Sequence, residues 1–207
     1  NSKVYRIADD IREGIKKMRI VIMADGKGSR WRNHMGVPKH LAEIHGEKLI
    51  CRTIRQLREV FKNSAEIIVT SHDKSYEFEG SRRYEPLNNV LEIDRFTEEL
   101  IIDDMCFLYG DTHYTKKSIE KILDDVPGDI VFYGNKKSIV AVKIKNSDVF
   151  KKHKAIVREL YLEGKIEKCK GWQVYQSFTG QNMSASPVIG KNFVYVDELT
   201  RDFNTAE

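Results

Sequence analysis

The chain has 207 residues, 41% hydrophobic and 32% charged, with 35 basic against 31 acidic side chains and a formal charge of +4. That length holds one domain with a substantial core and is short for two. No apolar run approaches the ~20 residues of a membrane span, and no basic stripe with interleaved aromatics argues for nucleic acid. Three widely spaced cysteines, Cys51, Cys106 and Cys169, form neither a disulfide framework nor a zinc spacing. Cys51 and Cys106 lie in apolar runs and are expected as buried thiols, in keeping with a reducing cytoplasm. The chain opens Asn1-Ser2-Lys3 without an initiator methionine, and no secretory signal is visible there; an earlier segment stays open.

Val4, Ile7, Ala8, Ile11 and Ile15 recur at helical spacing and predict an amphipathic helix over 4–15, hence a helical extension over 1–18 ahead of a single domain over 19–207. Residues 19–24 read as a fully buried strand, followed by a polar, glycine-bearing loop from Asp25 to about His40. The stripe from Leu49 to Phe61 predicts a helix and 66–70 a second buried strand. Residues 88–100 read as a helix and 105–109 as a strand. Thr115 is placed to cap a helix carrying Ser118, Ile119, Ile122 and Leu123. Strands over 129–133 and 139–144, a helix over 147–162 and a strand over 193–196 complete the pattern. Strands alternating with helices predict an α/β fold, a three-layer sandwich around a mostly parallel sheet.

In such sheets ligands sit beyond the carboxyl ends of the strands. There the first strand runs into Asp25-Gly26-Lys27-Gly28-Ser29-Arg30-Trp31, with Pro38-Lys39-His40-Leu41 further on. Two glycines let the backbone turn its N–H groups onto phosphate oxygens. Arg30 can fork onto two such oxygens, and Lys39 supplies a mobile point charge. The mild basic excess suits a polyphosphate. The loop is neither a Walker loop nor a Rossmann fingerprint, because G-K-[ST] and the third glycine are both missing.

Strand, G-x-G-x-R and a later P-K-x-L together resemble the signature of the GT-A-like nucleotidyltransferases, which include cytidylyltransferases and sugar-1-phosphate nucleotidyltransferases. Met23 to Arg30 stands in the place of L-x-A-G-x-G-x-R, with Asp25 where a small residue is usual. In its short length the chain resembles the small bacterial phosphocholine-type cytidylyltransferases. The resemblance implies a GT-A/Rossmann-like fold, a nucleotide site at Ala24, Gly26, Lys27, Gly28 and Ser29, and catalytic roles for Lys39 and Arg30. Asp111, after the strand 105–109, stands where the family holds a metal. Asp202 opens Asp202-Phe203-Asn204-Thr205-Ala206-Glu207, which resembles the D-x-N-T-x-E element that completes that metal site. Magnesium is the implied cofactor, since it takes one or two carboxylates plus phosphate oxygens and water. Asn88 and Asn89 resemble an asparagine-rich turn near the nucleotide, or cap the helix behind it. Of the six histidines, only His113 falls near the metal pair. Trp172, Tyr175, Phe178 and Gln181 are the candidates for an acceptor pocket, in which aromatics would suit a small cationic or amide-bearing group.

These residues imply transfer of a nucleoside monophosphate, CMP from CTP by preference, to a small phosphorylated or phosphonylated acceptor with release of pyrophosphate. Sugar-1-phosphate nucleotidyl transfer is an alternative. So is a glycosyltransferase reading of Asp111-Thr112-His113 as D-x-H, and so is a non-catalytic protein on the same fold. No membrane or nucleic-acid partner is expected, and an oligomer is compatible with the sequence.

Overall fold

The computed structural model describes residues 17–26, 28, 31 and 36–202. The expected helix over 4–15 lies outside the described residues, as do Lys27, Ser29, Arg30 and the stretch after Asp202.

Seven strands form one sheet: β1 (Met18–Met23), β4 (Ala65–Thr70), β5 (Arg82–Tyr84), β6 (Met105–Tyr109), β8 (Ile130–Gly134), β9 (Ile139–Ile144) and β10 (Phe193–Tyr195), in the order β10-β8-β9-β6-β1-β4-β5. Two short ladders flank it, β2 (Glu43–Ile44) with β3 (Glu47–Lys48) and β7 (Thr112–His113) with β11 (Arg201–Asp202). Every pairing in the large sheet is parallel except those of β9, which runs against both β6 and β8. The reversal follows from loop length, because four residues cannot carry a crossover but can close a hairpin. Asn135 Oδ1 accepts from Lys137 N (2.8 Å) and Ser138 N (3.0 Å) inside that turn.

The helices are α1 (Leu49–Phe61), α2 (Lys116–Leu123), α3 (Ser147–Leu162) and α4 (Gly171–Phe178). Strand alternation divides the core between two faces. Ile20, Ile22, Cys106 and Leu108 face a cluster with Ile54, Leu57 and Ile122 of α1 and α2. Val21, Met23, Met105 and Phe107 face the other, with Phe150, Val157 and Val174 of α3 and α4. The Thr115 cap forms as expected, its side chain accepting from Ser118 N.

Two expectations are corrected, and one element appears that the sequence did not announce. The segment 88–100 is not an α-helix but two single 3-10 turns, Glu92–Arg95 and Glu98–Leu100. Asp94 accepts from Leu91 N at 2.8 Å and Val90 N at 3.2 Å, which caps the first of these turns from within. Ile93, Phe96 and Leu100 are buried from this irregular path. The helix α4 was not foreseen. Among the cysteines, Cys106 and Cys169 are buried and Cys51 only partly so. Among the described residues no helix is long and apolar enough to cross a membrane.

Candidate functional site

β1, β4 and β6 are parallel and in register, with Met23 opposite both Thr70 and Tyr109, so their carboxyl ends share one rim. Ala24 N donates to Thr70 O (3.2 Å) and Gly110 N to Met23 O (3.0 Å), which holds the two loops leaving the rim side by side. A Cβ at Gly110 would lie 2.7 Å from the Met23 carbonyl, so only glycine permits that approach. Gly28 takes φ +58°, the left-handed region where glycine is at ease.

The Pro38-Lys39-His40-Leu41 segment returns to the rim as a 3-10 turn with Lys39 and His40 buried. Lys39 Nζ donates to Asp111 Oδ2, and both side chains are about nine-tenths buried (10% and 11% exposed). Asp111 is fixed between Gly110 and β7. β7 pairs with β11 in the register Thr112↔Asp202, and this ladder carries Asp202 across 91 positions of sequence to the same rim. The return is tied by Asp197, whose carboxylate accepts from the hydroxyls of Thr115 and Ser118 and from Leu199 N (3.1 Å) and Thr200 N (3.2 Å). Ser138 Oγ donates to Asp202 Oδ2 at 2.9 Å.

Lys39, Asp111 and Asp202 line one cleft of about 350 Å³, with Arg95, Tyr109 and Trp172 on its other walls. Among the described residues no group of three or more His, Cys, Asp or Glu gathers as a metal cage. Two carboxylates on one cleft wall nevertheless fit magnesium, which leaves its remaining positions to phosphate and water.

A second hollow of about 330 Å³ adjoins the cleft and shares Gly28, Trp31 and Lys39 with it. Ala24, Asp25, Gly26 and Asn89 line it. Asp25, the departure from the family pattern, has its carboxylate engaged. It accepts from His72 N (3.0 Å), His72 Nδ1 (2.7 Å) and Asn89 Nδ2 (2.7 Å). Asn89 Nδ2 also reaches the Asp25 carbonyl at 2.7 Å. Asn89 thus braces the glycine loop instead of capping a helix, while Asn88 is exposed and lines neither hollow. His40 Nδ1 meets Tyr76 OH at 3.1 Å, and burial, against the opposing pull of Asp111, depresses its pKa to about 4.

The sequence reading missed Arg95, Tyr109, Lys137 and Lys170. A Cβ on Gly26 would lie 3.2 Å from the Arg95 guanidinium carbon, so this arginine packs over the glycine loop. It was hidden in the segment read as a helix. Tyr109 was legible as the last strand residue before Gly110-Asp111, and burial holds its phenol neutral by pushing the pKa well up. Of the proposed acceptor residues, only Trp172 reaches the cleft. Tyr175 is fully buried and Phe178 packs against the core. Gln181 ties its own loop to Val188 O (2.9 Å) and Val188 N (2.8 Å). His113 faces Leu199 O at 3.4 Å and does not line the cleft.

Comparison with protein-family models and with curated proteins finds no match. Solved structures do match. The chain is similar to the CTP:phosphocholine cytidylyltransferase from Streptococcus pneumoniae, at 14% identity and a TM-score of 0.55, over 93% of this chain and 95% of that one. It is similar to the inositol-1-phosphate CTP transferase from T. maritima, at 14% identity and a TM-score of 0.53, over 93% and 91%. A third is the 2-C-methyl-D-erythritol 4-phosphate cytidylyltransferase from Thermus thermophilus, at 13% identity and a TM-score of 0.54, over 90% and 92%. A seven-stranded, mostly parallel sheet with helices on both faces, matched over nine-tenths of these chains, gives this protein the fold of the nucleotidyltransferases.

Proposed function

We propose that the protein transfers a nucleoside monophosphate from a nucleoside triphosphate to a small phosphorylated or phosphonylated acceptor and releases pyrophosphate. The observation that carries this reading is the convergence of Lys39, Asp111 and Asp202 in one cleft beside the glycine loop. CTP is the favoured donor on the resemblance of the sequence and three cytidylyl-transferring neighbours, while another similar structure is a putative thymidylyltransferase, which keeps dTTP as the competing donor.

The hollow at Asp25 and Asn89 takes the nucleoside, and the cleft takes the triphosphate and the acceptor. Gly26 and Gly28 present backbone N–H groups to the phosphates, with Lys27, Ser29 and Arg30 assigned to the same loop by the family resemblance. An acceptor phosphate oxygen attacks the α-phosphorus in line. The bond from that phosphorus to the bridging oxygen breaks, and pyrophosphate leaves. Lys39 has three donors, so it can keep Asp111 and still reach a phosphoryl oxygen as negative charge builds there. Arg95 reinforces that charge from above Gly26, and the neutral Tyr109 hydroxyl offers a hydrogen bond. Asp111 and Asp202 would hold magnesium, which neutralises phosphate charge when bound. A phosphate dianion is already nucleophilic near neutral pH, so no side-chain base is required.

The test is a panel pairing CTP, UTP, GTP and dTTP with phosphocholine, simple phosphonates, glycerol phosphate and hexose 1-phosphates. Pyrophosphate release with Mg²⁺ supports nucleotidyl transfer, fastest with CTP under the cytidylyl assignment. Release of a nucleoside diphosphate from a nucleotide-sugar instead would move the assignment to a glycosyltransferase.

A further inference from the structure

We propose that a basic trough beside the cleft binds a second anionic group of the acceptor, so that the acceptor carries two or more anionic groups. This rests on the nucleotidyl-transfer reading and narrows its acceptor.

The trough has a volume of about 640 Å³ and joins the cleft through three shared residues, Lys137, Lys170 and Trp172. Five lysines line it against a single glutamate, Glu167. They come from two segments that the fold brings together. Lys136 and Lys137 are exposed on the β8–β9 turn, which Asn135 stiffens. Lys165, Lys168 and Lys170 lie between α3 and α4, where Gly164 (φ +71°) ends the first helix and buried Ile166 and Cys169 anchor the loop. Anchoring the apolar residues inward leaves the lysines on the open side.

Like charges on one concave surface repel, and the cost falls when a counter-charge is present. Lys165 finds Glu163 (2.8 Å) and Lys170 finds Glu92 (3.3 Å). Lys136, Lys137 and Lys168 form no ion pair among the described residues. Two further polar features lie on this side. The first turn of α4 begins at Gly171 and Trp172 on the cleft wall with no side-chain cap; Gln173 N donates to Lys170 O (3.0 Å), and the N–H groups of Gly171 and Trp172 have no acceptor among the described residues. Gln173, 5% exposed, lines the trough, and its buried amide oxygen has no hydrogen-bond partner among the described residues. Trp172 is held rigid by stacking on Phe193 (centroids 5.6 Å apart, planes at 5°) and stands between the two spaces. With Lys137 and Lys170 beside it, its surroundings oppose a cationic acceptor group.

Two matched pairs of probes test this on the full chain: glucose 1-phosphate against glucose 1,6-bisphosphate, and glycerol 3-phosphate against 3-phosphoglycerate. Each is titrated calorimetrically with Mg²⁺ and a non-hydrolysable CTP analogue present. At least one doubly anionic probe should bind about tenfold tighter than its singly phosphorylated partner. The triple variant Lys136→Ala/Lys165→Ala/Lys168→Ala, built from residues outside the cleft, should lose that preference and keep its affinity for the singly phosphorylated probe. A single Lys168→Glu should weaken the preference in the same direction. Equal binding within both pairs, or a preference that survives in the triple variant, would overturn the proposal. Pyrophosphate release is followed separately. If no triphosphate yields pyrophosphate while the lysine-dependent preference persists, nucleotidyl transfer falls and the trough stands. If pyrophosphate is released but neither pair shows a preference, the trough falls and nucleotidyl transfer stands.

Discussion

On the β1 side of the cleft the charged groups already hold one another: Lys39 holds Asp111, and His72 and Asn89 hold Asp25. On the side built from the β8–β9 turn and the approach to α4, Lys136, Lys137 and Lys168 meet no carboxylate among the described residues. The first wall is fixed before a ligand arrives, and binding there exchanges one partner for another. The second carries a net charge that only something from outside offsets. Preorganised charge suits a reacting centre, where reorganisation during the reaction would raise the barrier. Uncompensated surface charge suits recognition and steering, where long reach matters more than placement.

Lys39→Ala should have the largest effect. It removes an oriented stabiliser, which typically costs about 2.7–4 kcal/mol of barrier, so pyrophosphate release should fall by two orders of magnitude or more. It also strands Asp111, 8% exposed, without its counter-charge, and breaking such a buried pair costs roughly 3–5 kcal/mol. The melting temperature should therefore drop in EDTA and recover with Mg²⁺, if Asp111 is a ligand. Normal turnover in folded Lys39→Ala protein removes Lys39 from the mechanism.

Asp111→Asn and Asp202→Asn should each weaken the dependence of turnover on magnesium, and their barrier changes should be strongly non-additive if both hold one ion. Asp111→Asn also removes the buried ion pair with Lys39, so without metal it should lower stability more than Asp202→Asn, which disturbs the Ser138 hydrogen bond. Simple additivity would show that the two carboxylates act apart.

The same contrast separates what was legible in the sequence from what was not. Buried parallel strands announce themselves as apolar runs, and β1, β4 and β6 stand within a residue of where the sequence puts them. The glycine loop and Lys39 follow directly from the strand they leave. The pairing of Asp111 with Asp202 was legible only through resemblance, because the β7–β11 ladder that joins them is two residues long on each side. The wall proposed for the acceptor was opaque for another reason. It is lined by exposed lysines from irregular loops, and an exposed lysine has the same sequence context whether it faces solvent or a trough. Arg95 was lost because its segment has the apolar spacing of an α-helix and folds as two 3-10 turns.

Stability should depend on pH through His40. Burial lowers its folded pKa from 6.5 to about 4, so between those values the unfolded chain binds a proton that the folded protein refuses. Stability then rises with pH through this window, is fully present above about pH 6.5, and is lost as pH falls towards 4. A shift of that size corresponds to roughly 3 kcal/mol. Denaturant titrations at pH 7 and pH 4.5 should show a smaller difference for His40→Asn than for the wild type. An unchanged difference would mean that His40 is protonated in the folded state.

The smallest effect divides two neighbours that the sequence could not tell apart. Asn89 donates to both the carbonyl and the carboxylate of Asp25, while Asn88 is exposed and lines neither hollow. Asn89→Ala leaves Asp25 with the two donors of His72, so the glycine loop keeps most of its support. Losing the Asn89 bonds should cost about 1 kcal/mol, since the site is only partly buried and water can replace them. With the nucleoside in this hollow, as proposed, the loss should read as a severalfold higher KM for the triphosphate with kcat nearly unchanged. The contrast with Lys39 is then one of kind, because a brace alters binding and an oriented charge alters the barrier. Asn88→Ala should change neither constant. Equal effects at both positions would mean that the asparagines act through the local turn and not through Asp25, and a fall in kcat for Asn89→Ala would place the brace in the reacting geometry.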